Sequence, residues 1–162
     1  MKFKKAVDAT RHLAGAWKPG LQALRSQDSP HIQAENPQRL LGSADVDKAL
    51  APIEPNANRW DFTIGFQHAN RKHEFIYWVE IHTGSDKEIS VVLKKLEWLK
   101  NWLRNDGREL AKFERDIVWV ASGGTSFTSG STQIKKLASV GLRYTGNKLH
   151  SPSEHPDPPS SP

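Results

Sequence analysis

Glu80 and His82 end an otherwise apolar run, FIYWVEIHTGSD (residues 75–86), and being two apart they point to the same face of any strand they occupy. A carboxylate and an imidazole at the end of a hydrophobic strand are costly unless something uses them. Asp61 lies in a second β-type run, RWDFTIGFQ (59–67), where Trp60, Phe62, Ile64 and Phe66 alternate with Asp61, Thr63 and Gly65. The polar stretch HANRK (68–72) joins the two runs, so they read as an antiparallel hairpin over 59–67 and 74–82. In such a pair, a residue early in one strand sits beside a residue late in the other, which brings Asp61 next to Glu80. Two adjacent carboxylates repel unless a proton or a cation intervenes. A hard divalent cation, Mg²⁺ or Mn²⁺, held by one or two carboxylates and otherwise by water and phosphate oxygens, resolves the clash.

The surrounding elements must place these groups. A helix is expected over 4–14, broken by Trp17-Lys18-Pro19-Gly20, with a second short helical piece from Leu21 to Arg25. Residues 39–46 read as a first strand and 47–50 as a helical turn or strand exit. Behind the hairpin, Ser85 and Glu88 fit a capping box. The helix that follows carries Ile89, Val92, Leu93, Leu96, Leu99 and Leu103 at three- and four-residue steps, and Asp106-Gly107 ends it. A buried strand is expected at 116–121, then a loop, a helix over 131–140 capped by Gly141, and an edge strand over 142–149. Strand 74–82, helix 85–105 and strand 116–121 should form a right-handed parallel crossover. The result is an α/β domain with a mixed sheet and helices packed on it.

The chain has 162 residues, 25% of them charged and 36% hydrophobic, which suits one globular domain over 1–150. Residues 151–162, with five prolines and four serines, read as a disordered tail. The lack of Cys excludes disulfides and Cys-based zinc sites and suits a reducing cytoplasm. No apolar run suggests a signal peptide or a membrane span. The net charge of +5 favours an anionic partner, and residues 1–25 hold Lys2, Lys4, Lys5, Arg11, Lys18 and Arg25 against Asp8 alone.

The helix, three meandering strands, helix and strand, with Asp61 in WDFTIG (60–65) and Glu80 and His82 in YWVEIHTGSD (77–86), resemble the PD-(D/E)XK, or restriction-endonuclease-like, nucleases over about residues 4–121. The resemblance implies an αβββαβ core, here with an appended helix and strand. It also implies a Mg²⁺- or Mn²⁺-dependent phosphodiester hydrolase acting on DNA or RNA, with Asp61 and Glu80 holding the metal. His82 stands where the family has Lys, the cation that positions the attacking water and stabilises charge on the phosphate. A neutral imidazole is not equivalent, though it can act as general base or metal ligand. A Lys from the following helix, Lys94 or Lys95, is the other source of that charge. It ranks below His82 because it lies about 14 Å along the helix axis. Basic residues of the first helix would then meet the phosphodiester backbone. The alternative is a catalytically inactive module that keeps the fold and binds protein or nucleic acid. The whole chain also resembles an uncharacterised bacterial protein family in KPGLQAL, ANRWDF and VLKKLEWLK, which implies no activity.

Each candidate has a structural alternative. Asp61 could pair with Arg59, and Glu80 and His82 with each other. Asp45 and Asp47 could cap the short helix that follows them. The six Trp residues suit packing rather than base stacking. The stretch SGGTSFTSGST (122–132) lacks the order of a phosphate-binding loop and reads as a plain loop.

Overall fold

A computed structural model describes residues 2–68, 72–123 and 132–151. The chain order is α1 (Lys2–Ala9), β1 (Trp17–Lys18), β2 (Ile32–Gln33), β3 (Leu40–Asp45), α2 (Val46–Leu50), β4 (Phe62–Gln67), β5 (Glu74–Thr83), α3 (Ile89–Arg104), α4 (Arg108–Ala111), β6 (Glu114–Ser122), α5 (Thr132–Ser139), β7 (Leu142–Tyr144) and β8 (Leu149–His150). Six strands form one mixed sheet in the order β1-β3-β4-β5-β6-β7. β3, β4 and β5 meander antiparallel, while β5–β6 and β6–β7 are parallel. The expected hairpin and the parallel step through α3 are therefore present.

β5 is apolar almost without interruption because both its faces are covered, the usual reason for such a run. On one face Ile76 and Trp78 join Ile117 and Trp119 of β6 beneath Phe3 and Val7 of α1 and the Val92/Leu96/Leu99/Leu103 stripe of α3. On the other, Tyr77 and Val79 pack with Phe62, Ile64, Val118 and Val120 against Leu24, Ile32 and Leu149. Trp60, Trp78, Trp102 and Trp119 are buried, as packing residues should be. Gly65 lets α1 approach closely, since a Cβ there would lie 2.4 Å from the Phe3 ring. The start of α1 is held by Glu74, the first residue of β5, whose carboxylate accepts the backbone N–H groups of Lys2 and Phe3 at 2.6 and 2.9 Å.

Several local expectations are corrected. α1 stops at Ala9 instead of reaching 14: the Thr10 hydroxyl donates to the Ala6 carbonyl, and the Thr10 N–H turns to Val7. Leu21 to Arg25 forms isolated turns, with Gln22 and Leu24 N–H groups reaching back three residues to Pro19 and Leu21. The stretch 142–149 divides. β7 extends the main sheet, whereas β8 pairs in parallel with β2 in a separate two-stranded sheet. Ser85 makes no side-chain cap bond, and a 3-10 turn over Asp86–Glu88 precedes α3. Asp45, by contrast, caps α2, accepting the Lys48 N–H at 2.8 Å. Asp45→Ala should therefore cost about 1 kcal/mol in urea unfolding and Ser85→Ala only a few tenths. Equal costs would contradict the observed caps. Residues 69–71 of the expected 68–72 turn, most of the loop at 122–130 and all of the expected 151–162 tail except Ser151 lie outside the described residues. Ser151 itself is buried, its N–H donating to the Gln33 carbonyl.

Candidate functional site

Asp61 directly precedes β4. Phe62 pairs with Val79, so continuing the register by one step sets Asp61 across from Glu80. Glu80 lies on the helix-covered face, two residues beyond Trp78, and α3 crosses over it. Lys95 of α3 reaches down between the two carboxylates: its Nζ lies 3.4 Å from Asp61 Oδ1 and donates a very short hydrogen bond to Glu80 Oε2. Asp61 Oδ2 accepts the Ile81 backbone N–H at 3.0 Å, which fixes the carboxylate against β5. Arg59 is not its partner: the guanidinium binds Asp47 at 2.9 Å and the Glu54 carbonyl.

His82 occupies the same neighbourhood but turns toward the start of α3. Its Nε2 lies 2.8 Å from Glu88, and its Nδ1 is 3.7 Å from Glu80 Oε2. Both ring nitrogens face a carboxylate, and the shorter contact, to Glu88, assigns the proton of the neutral ring to Nε2 and leaves Nδ1 without one. Glu88, expected to close a capping box, is thus used by a side chain of β5.

Asp61 and Glu80 come together as the antiparallel register implies. Lys95, not His82, bridges the pair, and the neighbouring Lys94 is exposed. The reach from the helix is short because α3 doubles back over β5. Thr83 lies about 10 Å beyond Glu80 along the strand, and Lys95 lies about 9 Å back along the helix. Lys side chains on a helix also lean toward its N-terminus.

The electrostatics follow from burial. The Glu80 side chain is 0% exposed. Its pKa is pushed well above the ordinary value by burial and then by the charge of Asp61, with Lys95 opposing. Asp61 is raised for the same first reason, again against Lys95. Burial alone would lower Lys95, but Glu80 and Asp61 outweigh it and hold the ammonium above its ordinary value. The three groups together keep protons tightly.

Among the described residues Glu80 Oε1 is buried with no hydrogen-bond partner. An unsatisfied hard oxygen beside a second carboxylate suits Mg²⁺ or Mn²⁺, which takes one or two protein carboxylates and completes its shell with water or phosphate. It does not suit a metal needing an all-protein cage. Among the described residues no set of three or more His, Asp or Glu side chains is grouped to hold an ion.

Asp45 and Asp47 flank the site without joining it. The Val46 and Asp47 N–H groups donate to the Asp61 carbonyl at 3.0 and 3.3 Å, while the two side chains cap α2 and bind Arg59. Lys2 and Lys5 of α1 are distant. They line a cavity of about 620 Å³ beside Glu74, at the opposite end of β5 and about 20 Å from Glu80. Among the described residues no helix is long and apolar enough to cross a membrane. Comparison with protein-family models, curated proteins and solved structures finds no match.

Proposed function

We propose that the chain is a divalent-metal-dependent, nuclease-like protein with a restriction-endonuclease-like core, acting on the phosphodiester bonds of nucleic acid in the cytoplasm. One observation carries the reading: a single ammonium, Lys95, is bonded to both Asp61 and Glu80. Asp61, Glu80 and a lysine are the residue types that the resemblance requires, and the lysine comes from α3 in place of β5. Asp61 and Glu80 would hold Mg²⁺ or Mn²⁺, which when bound polarises a phosphate oxygen and lowers the pKa of a water. Lys95 has three N–H donors and directs two at carboxylates, so one is left for a phosphate oxygen on which charge develops. His82, with Nε2 held by Glu88, offers Nδ1 to orient or deprotonate the attacking water.

A second reading, an inactive module that binds protein or nucleic acid, is favoured by the complete burial of Glu80 beneath Lys95. In that case the three charges form a structural ion cluster. The two readings separate in an assay of EDTA-treated protein given Mg²⁺ or Mn²⁺, with plasmid DNA and RNA as substrates and thermal melting in parallel. Metal should raise the melting temperature and permit cleavage in the wild type and do neither in Asp61→Ala. Metal-dependent cleavage that survives Asp61→Ala, Glu80→Ala and His82→Ala alike would put the chemistry elsewhere. No metal effect on melting or cleavage would leave the inactive module.

A further inference from the structure

A second cavity, of about 760 Å³, opens at the Asp61 end of the sheet and is lined by His12, Lys18, Arg25, Asp45, Asp47 and Lys48, with small residues such as Ala16, Ala23 and Ala49 between them. Asp61, Glu80 and Lys95 do not line it, but two of its lining residues, Asp45 and Asp47, are tied to the Asp61 segment. Asp45 pairs with Phe62, the residue after Asp61, and α2 is pinned to the Asp61 carbonyl.

The acidic lining is already engaged: Asp45 caps α2, and Asp47 takes Arg59 at 2.9 Å. The basic lining is less fully engaged. Lys18 and Lys48 have no ion-pair partner among the described residues, and Arg25 approaches Asp47 only to 3.9 Å. Two unpaired lysines and a loosely paired arginine therefore line an open space beside two engaged carboxylates, with small side chains between them, which admits a chain with a repeated negative charge. His12 sits at the rim with φ 70°, a left-handed conformation uncommon outside glycine.

We infer that this cavity, through Lys18, Arg25 and Lys48, seats the phosphodiester backbone of a polynucleotide strand beside the Asp61–Glu80–Lys95 site. The inference takes its direction from the phosphodiester reading of that site but does not require cleavage. It also replaces the first-helix lysines as the backbone contact, since Lys2 and Lys5 lie at the other end of the sheet.

The test is fluorescence anisotropy with a labelled DNA oligonucleotide, single-stranded and as its duplex, in EDTA so that nothing is cut. Lys18→Glu/Arg25→Glu/Lys48→Glu should bind at least tenfold more weakly than wild type, and the slope of log K against log salt should shrink by roughly 0.7–0.9 per lost contact. Lys2→Glu/Lys5→Glu/Lys72→Glu, at the distant cavity, should bind as wild type does. The triple alanine variant, checked by melting, serves if charge reversal unfolds the chain. Equal loss in the distant variant, unchanged binding in the cavity variant, or no binding by the wild type would each overturn the inference. Binding that maps to the cavity in a protein that cuts nothing keeps this inference and removes the nuclease reading. Metal-dependent cleavage with a KM unmoved by the cavity variants does the reverse.

Discussion

Lys95→Met is expected to destabilise the fold by about 3–5 kcal/mol at pH 8 and by much less at pH 5. Methionine keeps most of the stem and removes the charge, so the loss reports the ion cluster more than packing. Without the ammonium, Glu80 is left fully buried beside Asp61 with one oxygen already unsatisfied. The folded protein then avoids the isolated charge by binding a proton. Burial and Asp61 already hold Glu80 above its ordinary value, and Lys95 is what opposes them. Its removal shifts Glu80 further up. A group whose pKa is higher folded than unfolded stabilises the fold below the unfolded value and loses that contribution as pH rises through the folded one. The variant should therefore weaken more steeply with rising pH than the wild type. Urea unfolding followed by Trp fluorescence at pH 5 and pH 8 measures this, and a penalty independent of pH would mean that Lys95 acts through packing alone.

Glu80→Gln is expected to move stability and chemistry in opposite directions. The wild type gives up stability as pH climbs from the ordinary glutamate value through the raised folded one. The amide does not titrate, so the melting temperature of the variant should rise relative to wild type between pH 5 and pH 8. It also removes the like charge beside Asp61 while leaving Asp61 to pair with Lys95. On the proposed nuclease reading, metal-dependent cleavage should nevertheless fall by about 10²–10³-fold, the usual cost of one charge-stabilising group in an active site. Melting at both pH values beside a cleavage assay tests the pair of signs. If stability and cleavage fall together at every pH, Glu80 is only a structural member.

The two halves of the carboxylate pair were legible because a hairpin is arithmetic. Alternation identified the strands, and the antiparallel register then set Asp61 beside Glu80. Lys95 is harder to see because distance along the sequence places it far down the helix from the site. In three dimensions the strand runs past Glu80 and α3 returns over it, so the two lengths nearly cancel. Glu88 is hidden for a related reason. Its spacing from Ser85 matches a local cap, but His82 competes for the same carboxylate and wins. The two-stranded pairing of β2 with β8 joins segments more than a hundred residues apart, each only two residues long. No local periodicity can announce such a pair.

The grip of Glu74 on the start of α1 bears on the order in which the chain assembles. An eight-residue helix is too short to persist alone in water. Its first N–H groups find their acceptor on a residue more than seventy positions later, and its Phe3 ring needs the bare backbone of Gly65. Both supports belong to the β4–β5 hairpin. The first residues of the chain are thus among the last to settle, waiting on a hairpin that the middle of the sequence must form before them.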